Sequence, residues 1–80
     1  MFSNIFKPNV KKLTEERNVK ALIKLLQNRD HTIRGDAAKA LGEISPDEAG
    51  EYLIAMLNDI HHYPAVCAFN ALSWRHWFLV

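Results

Sequence analysis

Two neighbouring segments decide the fold: Val19-Lys20-Ala21-Leu22-Ile23-Lys24-Leu25-Leu26, and Ile33-Arg34-Gly35-Asp36-Ala37-Ala38-Lys39-Ala40-Leu41-Gly42-Glu43-Ile44. In the first, Leu22, Ile23, Leu25 and Leu26 form a broad apolar stripe at helical spacing, and Asn18 is a good N-cap for a helix over Val19–Gln27. In the second, Ile33, Ala37, Ala38, Ala40, Leu41 and Ile44 turn inward while Arg34, Asp36, Lys39 and Glu43 stay wet. Asp30 can cap that helix, and its three alanines let a neighbour approach closely. Two such short helices cannot bury their apolar faces alone. The pair reads as one unit of a stacked helical array, whose usual work is surface contact.

A looser copy follows. Leu22, Ile23, Leu25 and Leu26 recur 31 residues on as Leu53, Ile54, Met56 and Leu57, a period suited to a two-helix repeat. Ser45-Pro46-Asp47-Glu48 reads as a capping box, with Ser45 at the N-cap, Pro46 at N1 and Glu48 at N3. It predicts a third helix from Pro46 to about Asn58, with Leu53, Ile54, Met56 and Leu57 buried. Asp59–Tyr63 is then a turn, and Pro64 opens a last helix running to about Phe78. That helix is apolar nearly all round, through Val66, Cys67, Ala68, Phe69, Ala71, Leu72, Trp74, Trp77 and Phe78, and needs cover on more than one side.

Ahead of the repeats, Phe2, Ile5 and Phe6 mark one helical turn. Pro8 then leads into a short helix from Val10 to about Arg17 with Val10 and Leu13 inward, and the segment is expected to close the end of the core. The organisation expected is one all-α domain over 1–80: a cap at 1–17, a first repeat at 18–45, and a degenerate second repeat at 46–80.

Composition narrows the field. Eighty residues support one small core, and a 49% apolar share with three glycines and three prolines belongs to a folded chain. A net charge of +1 gives no strong footprint for nucleic acid, although Lys7, Lys11, Lys12, Arg17, Lys20 and Lys24 bunch in the first third. The single Cys67 suits a reducing compartment. No segment reads as a secretory signal or a membrane span, so a cytoplasmic protein is expected.

The run Asp30-His31-Thr32-Ile33-Arg34, followed by Ala37-Ala38-Lys39-Ala40-Leu41-Gly42-Glu43-Ile44, resembles the HEAT-like repeat named after phycobiliprotein lyases. That family's pattern is Asp-Pro-x-Val-Arg, two variable residues, then Ala-Ala-x-Ala-Leu-Gly. The likeness covers Asn18–Ser45 well and Pro46–Phe78 only in its first helix. It implies a right-handed α-solenoid of about two helical hairpins. It also implies a ladder of Asp and Arg along the stack, with Asp30 and Arg34 in those roles. In the second unit, His61-His62-Tyr63-Pro64-Ala65-Val66-Cys67 carries no such pair, so the ladder is expected to stop after one rung.

Chemistry finds little foothold. HEAT-repeat hydroxylases with two irons place a His-Glu pair directly after the Arg, where this chain has Gly35-Asp36. Gly35 costs ~1 kcal/mol relative to Ala in a helix interior, which suggests a close contact there. His31, His61, His62, His76 and Cys67 are the only candidate soft-metal ligands, and their spacing defines no site, though stacking could bring His31 and His61 to one edge. Cys67 reads as a small buried hydrophobe rather than a nucleophile. No cofactor and no enzymatic activity are expected.

What remains is contact. The second-helix row of Arg34, Asp36, Lys39, Glu43, Asn70 and Ser73 is the expected polar interaction face. Phe69, Leu72, Trp74, Trp77 and Phe78 are the expected apolar end, for a protein partner or for self-association through the C-terminal helix. The leading expectation is a non-catalytic protein-interaction or scaffold module. The alternatives are an accessory subunit or fragment of a bilin-lyase-type enzyme and, more weakly, nucleic-acid binding through the basic cluster. A membrane partner is not expected.

Overall fold

A computed structural model describes residues 8–44 and 46–75, the last two by their backbone. The sequence reading that places a turn at Phe2, Ile5 and Phe6 falls outside these residues, as do the Ser45 cap and the tail bearing His76, Trp77 and Phe78. Every regular element among the described residues is helical: α1 (Val10–Glu15), α2 (Val19–Leu25), α3 (His31–Ile44), a 3-10 turn (Asp47–Ala49), α4 (Gly50–Met56) and α5 (His62–Arg75). This is the all-α helical-repeat architecture expected.

Local chemistry sets the starts. The Asn9 side chain accepts from Lys12 N at 3.0 Å and that of Asn18 from Ala21 N at 3.2 Å, each satisfying one of the four orphan amides of a helix N-terminus. Asp30 Oδ1 accepts from Thr32 N at 2.9 Å, so α3 begins at His31, two residues before the apolar periodicity starts. Between α1 and α2 the chain turns through Arg17 at φ 54°, a left-handed conformation that L side chains resist. The flanking bonds, Asn18 N to Leu13 O and Arg17 N to Thr14 O, are those of a Schellman ending, in which this position is usually Gly.

The third repeat-type helix, α4, differs from expectation. Pro46 is extended (φ −77°, ψ 139°) and leads a 3-10 turn, so α4 starts only at Gly50 and Glu48 lies in the turn. At the other end, α5 starts two residues before Pro64. Proline is tolerated there because its missing amide is one of the four with no intrahelical partner.

The core runs through both hairpins. Leu22, Leu41, Leu53 and Leu72 are fully buried, with Ala37, Ala38, Ala49 and Ala68 beside them. Val10 and Leu13 pack on its edge, as their spacing predicts. Ile54 does not join it: half of its surface is exposed, against the expectation that it is buried.

The two second helices meet closely. A Cβ at Gly42 would lie 2.8 Å from Ala71 Cβ and 3.0 Å from Ala71 Cα, and one at Gly35 would overlap the Tyr63 ring. Both glycines therefore give up helix propensity for proximity, which explains why α3 tolerates them.

Candidate interaction surface and repeat junction

Arg34 is held at the junction of the hairpins rather than offered to solvent. Its Nε donates to Asp59 Oδ2 at 2.8 Å and its Nη2 to Asp59 Oδ1 at 3.0 Å, a two-pronged grip on one carboxylate. Its Nη1 donates to the Asn28 carbonyl at 2.8 Å, and Nη2 lies 3.1 Å from His61 Nδ1. Both side chains of the ion pair are largely covered, at 14% and 11% exposure. The hydrogen bond from Arg34 holds the Asp59 carboxyl below its ordinary 3.8, against the opposing pull of burial.

The second unit does supply an acid to the ladder, in a register the motif does not show. Asn28 and Asp59 stand 31 residues apart, and each accepts from the amide two residues on: Asn28 Oδ1 from Asp30 N at 2.8 Å, Asp59 Oδ1 from His61 N at 2.9 Å. The same small turn thus recurs in both units, and its acidic version faces Arg34. Asp30 serves in capping α3. The second unit has no Asp–Arg pair in His61–Cys67, but just ahead of it stands Asp59, the acid that Arg34 meets, which the repeat spacing could have singled out. His31 and His61 reach one edge, with rings stacked 3° from parallel at 4.3 Å.

Along the second helices, α3 and α5 enclose an open groove of about 400 Å³. Lys39, Glu43 and Asn70 stand exposed around it, while Gly42, Ala71, Val66 and Cys67 form its apolar wall and Tyr63 closes one end. Three residues of the expected polar row therefore line one concavity. Ser73 is exposed on α5, and Asp36 is half-buried as the acceptor of the Tyr63 hydroxyl. That hydrogen bond and burial raise the phenol above its ordinary value.

The expected apolar end divides. Phe69 is 54% exposed, whereas Leu72 is fully buried in the core and is corrected from contact residue to packing residue. The Trp74 side chain, Trp77 and Phe78 lie outside what is described. Cys67 is a buried free thiol, pushed above its ordinary 9.0 by burial, so it rests as the thiol that a nucleophile would have to leave behind. Among the described residues no cluster of three or more His, Cys, Asp or Glu could hold a metal ion, and no helix is long and apolar enough to cross a membrane.

The two-helix units, the shared core and the Arg34–Asp59 junction accord with a family-model match. The model for HEAT repeats matches residues 10–66, from the start of α1 into α5. The chain belongs to the HEAT-repeat family. No curated protein and no solved structure matches it. HEAT repeats commonly serve as protein-interaction or scaffold modules, and they generally lack enzymatic activity.

Proposed function

We propose that this HEAT-repeat chain is a non-catalytic interaction module that takes a protein segment along the exposed side of α3 and α5. The observation that carries the reading is the groove, where Lys39, Glu43 and Asn70 surround an apolar wall of Val66, Cys67, Gly42 and Ala71. Such a combination suits a segment with an apolar side chain flanked by polar or charged groups, the wall supplying affinity and the rim orientation. Exposed Phe69 extends the apolar contact along α5. We read the Asp30–Ile44 motif as similar to the phycobiliprotein-lyase type of the repeat. We take residues 1–17 as a cap, 18–45 as one repeat and 46–80 as a worn second one. The lone thiol of Cys67 fits a reducing compartment, the cytoplasm.

Panning a displayed library of random peptides against the folded protein tests this reading. Peptides that bind the wild type and lose binding to Lys39→Glu combined with Asn70→Ala support it. A selection with no enriched sequences, or with binders indifferent to both substitutions, overturns it.

A further inference from the structure

The repeat spacing, carried through the second helices, compares each residue of α3 with its counterpart 31 positions on in α5. Most pairs agree in burial: Ala37 with Ala68, Ala40 with Ala71, Leu41 with Leu72. Three pairs go from buried in α3 to exposed in α5, and they lie on one stripe. Gly35, Ala38 and Gly42 are buried in α3, while their counterparts Val66, Phe69 and Ser73 are exposed. Gly35 and Gly42 are where α5 itself rests on α3, through Tyr63 and Ala71. The stripe is thus the face by which one second helix receives the next, and α5 displays its own copy. Ile54, half exposed on α4, repeats partly buried Ile23 in the same way.

The composition of the stripe indicates what fits it. His62, Val66, Phe69 and Ser73 fall at i, i+4, i+7 and i+11, the alternating spacing of a helix-pairing seam. His62, Val66, Phe69 and Ser73 are all exposed, and Val66 and Phe69 keep 38% and 54% of their surface in solvent, whatever else they touch. The α3 face offers glycine and alanine, but this one offers Val and Phe, so it does not accept a helix as close as α5 lies to α3. The seam is instead complementary to itself when antiparallel. Phe69 then meets Val66 of the second copy, Val66 meets its Phe69, and a His62–Ser73 pair closes each end. No Asp, Glu, Lys or Arg occurs from Ile60 to Trp74, so α5 itself brings no like charges to the pairing.

We propose that α5 pairs antiparallel with α5 of a second copy of this chain, through a seam of His62, Val66, Phe69 and Ser73. The proposal deepens the apolar part of the interaction reading above, and its test leaves the groove intact. Sedimentation of the whole chain over a range of concentrations should show the mass rise from 9.2 kDa towards twice that value. Phe69→Glu should hold it at 9.2 kDa with unchanged helical circular dichroism. Should that variant fail to fold, Phe69→Ser makes the same test with a small neutral side chain, again outside the groove lining. Lys39→Glu, in the groove, should leave the dimer unaffected, which separates a failure of this proposal from a failure of the groove.

Register is tested by His62→Cys with Ser73→Cys in one chain. The two sites are ~16 Å apart along α5, beyond the ~7 Å reach of a disulfide, so oxidation can join them only between copies. A covalent dimer on a non-reducing gel is expected. A wild type that stays at 9.2 kDa at every concentration, as it would with another segment folded onto the seam, overturns the proposal. So does a Phe69→Glu chain that still dimerises, or a double-cysteine chain that forms no cross-link.

Discussion

Removing Arg34 should reveal how firmly the two repeats are joined. Arg34→Ala deletes two charge-assisted bonds to Asp59 and one to the Asn28 carbonyl, at 2.8, 3.0 and 2.8 Å. It leaves an 11%-exposed carboxylate with the His61 amide still donating to it. Stranding one partner of a largely covered pair costs about 3 kcal/mol. Eighty residues support a total of roughly 4–12 kcal/mol, so the loss is a large share of stability. At ~4–8 °C per kcal/mol, Tm should fall by about 12–24 °C in a thermal melt. Arg34→Lys should recover only part of this, because an ammonium cannot make the two-pronged grip.

Asp59→Ala combined with Arg34→Ala should be markedly less harmful than the sum of the two single changes, with a coupling of about 2 kcal/mol. The pair also has a pH signature. Because the Asp59 carboxyl is lowered in the folded state, the unfolded chain binds more protons between that lowered value and 3.8. Stability from this group is therefore complete above 3.8 and is lost as pH falls through the folded value; Asp59→Asn should flatten that part of the profile. Strictly additive single changes of under ~0.5 kcal/mol each would refute the junction as described.

Three further outcomes follow from other contacts. Gly42→Ala should gain ~1 kcal/mol of helix propensity and lose more to the Ala71 backbone, a net destabilisation of roughly 1–2 kcal/mol by chemical denaturation. Arg17→Gly should act in the opposite sense, stabilising by about 0.5–1 kcal/mol, since it relieves a side chain at φ 54°. Cys67 should react with a thiol-specific alkylating reagent far more slowly in the native protein than in denaturant at the same pH, because burial holds it as the thiol. Equal rates would place it outside the core.

Much of the fold is legible because it rests on periodicity. The stripes of Leu22–Leu26 and, with Ile54 the exception, Leu53–Leu57, and the alanines of α3, state which faces turn inward without knowledge of what they meet. Boundaries set by a single conformation are harder to read. Pro46 fits the first position of a helix, yet its extended backbone puts a 3-10 turn there. Contacts across the repeat are the least visible. Asp59 belongs to no Asp–Arg motif, and its role appears only when Asn28 is set beside it at the repeat spacing. Tyr63 escapes notice for the same reason, since its ring covers Gly35 and its hydroxyl reaches Asp36 27 residues away. Leu72 misleads in the other direction. On a helix apolar nearly all round, spacing alone cannot tell the side facing α4 from the side facing water, and Leu72 is wholly inside.

The glycines of α3 have a mechanical consequence. Gly35 seats the Tyr63 ring and Gly42 seats Ala71, and the two points lie ~10 Å apart along one helix. A helix clamped at two separated points can neither roll nor splay against its neighbour without breaking one of them. The slot bordered by Lys39, Glu43 and Asn70 therefore keeps a fixed width before anything enters it. A segment taking the place proposed for it there would not first have to organise its receptor, so weak individual contacts could add to useful affinity.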